Sequence, residues 1–204
     1  MSDKQFIVAT NNRGKLDEIK NILQTVGYRC ISLAQAKIDI EVEETGNTFA
    51  ENARIKARAV YDVCRKPVIA DDSGLCVDYL DGEPGVKTAR YAGEDRDNEA
   101  NIDKLLSELD GVPVEGRGAR FVAAVCAITS DGREITAAGW CEGFIGTERR
   151  GNSGFGYDPV FWQHGNRSFA EIPDDKKNKI SHRARALAKM AFKLRGISRI
   201  RSYD

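Results

Sequence analysis

The chain has 204 residues, of which 41% are hydrophobic and 30% charged, the proportions of a globular chain long enough to bury a substantial core. Lys plus Arg number 31 and Asp plus Glu number 31, for a formal net charge of zero. That balance excludes a protein that depends on a broad basic surface to hold nucleic acid, while leaving room for a small phosphorylated ligand in a local basic pocket. The cysteines Cys30, Cys64, Cys76, Cys126 and Cys141 form no C-x-x-C pair, so neither a zinc site nor a disulfide framework is expected and a reducing compartment fits best. Cys64, Cys76 and Cys126 fall in apolar patterns and are expected to be buried thiols. No apolar run is long enough to span a bilayer, and the N-terminus shows no signal-peptide core. The expected location is the cytoplasm, with no membrane partner.

Phe6–Thr10 reads as a first strand. It stops at Asn11-Asn12-Arg13-Gly14, and Lys15 opens a helix with Leu16, Ile19, Leu23 and Val26 at helical spacing. A strand, polar loop and helix in this order present free backbone N–H groups and Lys15 at a helix N-terminus, a natural anion site. The loop is not a Walker A sequence, and many such turns bind nothing. Residues 36–47 are acidic, with Asp39, Glu41, Glu43 and Glu44, and by themselves read as a solvated loop. Thr48-Phe49-Ala50-Glu51 then matches a capping box, starting a helix whose buried stripe is Phe49, Ala53, Ala57, Val60 and Cys64. Asn52 and Lys56 lie one turn apart on an adjacent face. If Glu43 and Glu44 sit at the mouth of this helix, they share a cation with Asp72.

Pro67–Ala70 is a short buried strand that ends in Asp71, Asp72, Ser73 and Gly74, after which Leu75, Val77 and Tyr79 resume an alternating pattern. Carboxylates at the end of a buried strand hold divalent cations or poise water, and the same four residues also suit a plain polar turn. The stretch alone is compatible with both. Asp81–Gly85 is a turn, and a helix is expected over about 97–109 with Ile102, Leu105, Leu106 and Leu109 inward. Arg120–Thr129 and Glu134–Phe144 form a hairpin around Asp131-Gly132. The loop Arg149–Pro159 carries Gly151, Gly154 and Gly156, which let backbone approach a ligand, and Phe155 and Tyr157, which have little reason to be there unless they pack on something such as a base. Val160–Trp162 is another short strand. Ser181 is the expected N-cap of a last helix to about Leu194, with Ala184, Leu187, Ala188, Ala191 and Phe192 inward. Lys177, Lys179, His182 and Arg183 then surround a helix N-terminus against its dipole, a conflict that an anionic ligand relieves, although a basic run is more often a solvated face.

Taken in order, Thr10-Asn-Asn-x-x-Lys15, Glu44-Thr-Gly-x-Thr-Phe-x-Glu-Asn-Ala53, Ala70-Asp-Asp-Ser-Gly-Leu75, Phe155-Gly-Tyr-Asp-Pro159 and Lys177-Asn-x-Ile-Ser-His-Arg183 resemble the inosine triphosphate pyrophosphatase family from about residue 6 to 194. Two departures are visible: Asn11 stands where the family usually has Gly, and Thr88 where Ser is common. The resemblance implies one domain over residues 1–204 with an elongated α/β fold, a mixed central sheet flanked by helices, and two lobes with an active-site cleft between them, usually as a homodimer. It implies hydrolysis of deaminated purine nucleoside triphosphates (ITP, dITP, XTP) between the α and β phosphorus, giving the monophosphate and pyrophosphate and requiring Mg²⁺. Carried onto this chain, Asp72 is the catalytic base and a metal ligand, and Glu44 is the second metal ligand, with Glu43 in reserve. Thr10, Asn11, Asn12, Arg13, Gly14, Lys15, Lys56 and Ser73 are the expected phosphate-end contacts. Phe155, Gly156, Tyr157, Asp158, Lys177, His182 and Arg183 are expected to bind substrate at the base end, with Phe155 stacked on the purine and Asp158, His182 and Arg183 reading its edge. Asp71 either tunes Asp72 or faces the core. Two other readings stay open: a pyrophosphatase for pyrimidine or methylated nucleotides, as in the related Maf group, and a nucleotide sensor without turnover, against which the intact Asp72 and Glu43–Glu44 argue.

Overall fold

The apolar runs form seven strands of one mixed sheet in a computed structural model that describes residues 4–163 and 166–200. The strands are β1 Gln5–Val8, β2 Arg29–Ser32, β3 Val68–Val77, β4 Gly118–Ile128, β5 Glu134–Ile145, β6 Phe161–Gln163 and β7 Arg167–Ser168, in the spatial order β2-β1-β3-β4-β5-β6-β7. β1 runs parallel to both β2 and β3, whereas β6 is antiparallel to β5 and to β7. Parallel neighbours need a crossover, and helices supply it: α1 (Arg13–Thr25) joins β1 to β2, and α2 (Phe49–Cys64) lies between β2 and β3. The remaining helices are α3 (Asn98–Glu108), α4 (Asp174–Ile180) and α5 (His182–Ile200). Among the described residues no helix is long and apolar enough to cross a membrane.

The chain divides into two compact units, one of residues 1–72, 123–139 and 183–204, the other of residues 73–122 and 140–182. In the first unit β1, the start of β3 and the end of β4 are apolar on both faces, as strands covered by helices on each side must be. Phe6, Val8, Ile69, Ala123, Val125 and Ala127 pack with α1 residues Ile19 and Leu23 and α5 residues Leu187, Met190 and Ala191. Their alternate neighbours Ile7, Ala9, Val68, Ala70, Ala124, Cys126 and Ile128 pack with Ala53, Ala57 and Val60 of α2. The second unit has a core of its own, in which Leu75, Val77, Phe121, Phe161 and Phe169 pack with Ile102 and Leu105 of α3.

Four expectations change, the first being that Ala188 and Phe192, expected inward on the last helix, are exposed. Asp71-Asp72-Ser73-Gly74 is not a turn between two strands; β3 runs straight through it, because both carboxylates meet buried cations and need no solvated bend. The segment before the last helix is itself helical: α4 ends at Ile180, and Ser181, with extended backbone (φ −64, ψ 158), is its C-cap while still standing, as expected, immediately before the last helix, α5, which begins at His182. Of the three thiols expected to be buried, Cys126 is, whereas Cys64 and Cys76 are half-buried; Cys141 is buried too, and none of them is in a disulfide.

Candidate active site

Strand alternation decides what each carboxylate of β3 meets. Successive side chains point to opposite faces, so Asp71 shares the face of Ile69, toward α1 and α5, and Asp72 the face of Val68 and Ala70, toward α2. Asp71 Oδ2 accepts from Arg183 Nε at 3.0 Å and lies 3.7 Å from Lys15 Nζ. Arg183 also donates through Nη1 to Glu18 of α1, and its side chain is only 1% exposed. Asp72 Oδ1 accepts from Lys56 Nζ at 2.9 Å, and its Oδ2 from Asn52 Nδ2 at 3.3 Å. Lys56 Nζ reaches Glu44 Oε1 as well, at 2.7 Å, so one ammonium bridges the acidic loop and the strand. Glu44 is half-buried beside that ammonium, and Glu43 is exposed.

The helices hold these groups in place. Asn12 caps α1 by accepting from Lys15 N at 3.0 Å, and the Thr10 hydroxyl accepts from Asn12 N at 3.2 Å. The caps leave the first-turn amides of residues 13 and 14 pointing outward. Thr48 and Glu51 form the expected capping box of α2, which fixes Asn52 and Lys56 one turn apart on the face toward Asp72. Asn52 Oδ1 in turn accepts from Gly46 N at 2.8 Å, and a side chain at Gly46 would meet that amide oxygen at 2.7 Å. The acidic loop is therefore docked on α2 through a position where only glycine fits.

Burial favours a neutral Asp71, yet the Lys15 and Arg183 cations overwhelm it and hold its carboxyl well below the usual range. Burial likewise opposes the charge on Arg183, which Asp71 and Glu18 raise above the ordinary value. At Lys15 burial prevails over the pull of Asp71 and lowers the ammonium. At Lys56 burial is outweighed by Asp72, Asp71 and Glu44, which raise it. Burial pushes Asp72 up, beyond what Lys56 and Lys15 draw down.

In the second unit Lys177 Nζ donates to Asp158 Oδ2 at 2.6 Å, and the same oxygen accepts from Phe155 N at 2.8 Å. Both side chains of the ion pair are nearly sealed from solvent. The ammonium lies 5.0 Å from the Phe155 ring centre, within cation–π range. Gly154 has φ +79, and a Cβ there would run into the Asp158 carboxylate. Tyr157 is buried and donates to Thr88 O at 3.0 Å, so its ring serves the core and the loop's foundation. His182 stacks on Phe121 with ring centres 4.8 Å apart.

The structure thus brings together Thr10, Asn12 and Lys15 at one helix start; Asp72, Glu44 and Lys56 around one ammonium; and Phe155, Asp158 and Lys177 around another. Asn11 and Arg13 are exposed, Gly14 and Ser73 half-exposed, and Gly156 takes φ +61 within its loop. Arg183 is committed to Asp71 and Glu18. Two contributors escape a site reading of the sequence. Asn52 carries a signal, since an asparagine inside a helix is disfavoured without a local purpose. Glu18 carries none.

A mixed α/β protein that gathers carboxylates and ammonium groups on β3, α1 and α2 defines the class. The sequence profile of the Ham1 family matches residues 6–193. The chain is 52% identical over 190 residues to the dITP/XTP pyrophosphatase of Bacillus subtilis, covering 92% of this chain and 96% of that protein. It is 45% identical to the dITP/XTP pyrophosphatase of Halalkalibacterium halodurans, over 92% of this chain and 97% of the other. The solved structure of the Staphylococcus aureus Ham1 protein superposes with a TM-score of 0.83 at 40% identity, covering 95% of this chain and 99% of that one. The chain belongs to the Ham1 family.

Proposed function

We propose that this protein hydrolyses deaminated purine nucleoside triphosphates (ITP, dITP and XTP) to the monophosphate and pyrophosphate, removing them from the nucleotide pool. The carrying observation is the set Glu44–Lys56–Asp72, two carboxylates drawn onto one ammonium, in a chain 52% identical to a dITP/XTP pyrophosphatase. In this reading the amides at the start of α1, the side chains of Thr10, Asn11, Asn12 and Arg13, and Lys15, Lys56 and Ser73 bind the triphosphate oxygens. Asp72 orients a water, accepts its proton and directs it in line with the α–β anhydride. Asn52 fixes the rotamer of that carboxylate.

Mg²⁺ is the expected cofactor, and the donor set fits it. Mg²⁺ is commonly held by one or two carboxylates together with waters and substrate phosphates. Among the described residues there is no cluster of three or more His, Cys, Asp or Glu that would hold a metal alone. Asp72 and Glu44 are its ligands, and when bound it supplies charge neutralisation at the phosphates.

For the base, Phe155 offers a ring face, and the Lys177–Asp158 pair with His182 offers polar edges. We assign the acceptor at position 6 of the purine to the donors of that pair and to backbone N–H groups of the glycine-rich loop, because Arg183 is spent on Asp71 and Glu18. An adenine amino group there would set donor against donor, at a cost of about 1–3 kcal/mol for each buried group left unpaired. The protein is read as a cytoplasmic homodimer; half-buried free thiols suit a reducing compartment, and sedimentation velocity measures the assembly. The reaction is tested by incubating ITP with the protein and Mg²⁺. IMP and pyrophosphate are expected, and IDP with phosphate would overturn the assignment.

A further inference from the structure

Lys56 occupies the two carboxylate oxygens that a metal ion held by Glu44 and Asp72 would use. Its Nζ is 2.7 Å from Glu44 Oε1 and 2.9 Å from Asp72 Oδ1, and its side chain is only 12% exposed, so water screens these contacts little. A Mg²⁺ ion takes carboxylate oxygens at about 2.0–2.1 Å. An ion on those two oxygens would lie within about 5 Å of the ammonium, and two cations that close in a poorly screened site repel strongly. The two occupants therefore exclude one another.

We propose that Lys56 is the resident counter-ion of the Glu44–Asp72 pair in the metal-free protein, and that it surrenders the pair to an arriving divalent cation. This rests on the reading of Glu44 and Asp72 as metal ligands. The exchange needs only side-chain rotation, because a lysine has a flexible four-carbon stem and α2 is fixed by its capping box. Asn52 stays in place, so Asp72 does not lose its orientation when Lys56 leaves. The displaced ammonium requires another anion, and the triphosphate is one. Lys56 thus makes the carboxylate pair a poor metal site without nucleotide and a good one with it, a coupling that acts reciprocally on the two ligands. In the metal-free protein Lys56 also holds the acidic loop against β3 through Glu44 and Asp72.

The test is Mn²⁺ binding without nucleotide, read by electron paramagnetic resonance, for the wild-type protein and for Lys56→Met, Lys56→Arg, Asp72→Asn and the double variant Lys56→Met with Asp72→Asn. Lys56→Met, which keeps the length and removes the charge, is expected to bind Mn²⁺ about tenfold or more tightly than wild type, with Lys56→Arg near wild type. Equal or weaker binding by Lys56→Met, with Asp72→Asn binding less than wild type, overturns the exchange and leaves the metal reading standing. Equal Mn²⁺ binding by Lys56→Met with and without a second change of Asp72→Asn, or no Mn²⁺ bound by any form, overturns the metal reading and the exchange with it. Melting curves provide a second readout, which Lys56→Gln extends should Lys56→Met fold poorly. Either variant should melt lower than wild type without metal and gain more from Mn²⁺ than wild type gains; a smaller gain counts against the exchange.

Discussion

Asp71 and Asp72 differ by one position along β3 and by the charges they meet. Asp71 and Arg183 are the fully buried members of a cluster with Lys15 and Glu18, so Arg183→Met leaves two carboxylates facing one another with too little cation between them. Removing one partner of such a pair costs about 3–5 kcal/mol, which chemical denaturation should register. The pH dependence has a definite sign. Asp71 ionises in the folded protein well below its ordinary value of 3.8, so its contribution to stability is whole above that pH and is lost as pH falls through the folded value. Metal-free protein should lose stability from about pH 4 downward, and Asp71→Asn should flatten that slope. Asp72 faces α2 and, in the proposed mechanism, the attacking water. Asp72→Asn is expected to lower kcat for ITP by about 10²–10⁴-fold, the worth of a general base, while circular dichroism stays unchanged.

At the level of elements, α2 is the clearest case of a helix legible before folding. Thr48, Glu51 and the stripe Ala53, Ala57, Val60 state its start and its buried face, and the structure has both. Thr48→Ala should cost about 1 kcal/mol in a urea titration. The continuity of β3 through Asp71–Gly74 was illegible for a physical reason: Asp, Ser and Gly favour turns through local hydrogen bonds, and the partners that override this preference, Arg183 and Lys56, are remote in the chain. The same holds at Arg183, whose basic neighbourhood suggests an exposed cluster, while the carboxylates that bury it come from α1 and β3. β2 escaped notice because it lies at the sheet edge with only half-buried or exposed residues, so no apolar pattern marks it. In the glycine-rich loop, Gly154→Ala would press a methyl group on the Asp158 carboxylate and demand φ +79 of an alanine. Its KM for ITP should rise about tenfold, equivalent to one lost hydrogen bond of about 1.4 kcal/mol, with kcat changed less.

Over the whole molecule, the order of five motifs was readable because each has its own local chemistry: a capped helix start, an acidic loop, paired carboxylates, a glycine-rich loop with aromatics, and a basic helix entrance. The division of labour was not readable, because it depends on which face of which strand each motif reaches. The first unit concentrates Lys15, Lys56, Glu44 and Asp72, the groups suited to phosphates and a metal; the second concentrates Phe155, Asp158 and Lys177, those suited to a base. With zero net charge, the surface offers no general attraction for polyanions, and duplex DNA should show no retention in a mobility-shift assay at physiological salt. The decisive measurement is kcat/KM for pyrophosphate release with Mg²⁺, comparing ITP with ATP and GTP. A preference for ITP on the order of 10²-fold or more is the predicted result; equal values for the three, or no release from ITP, would contradict it.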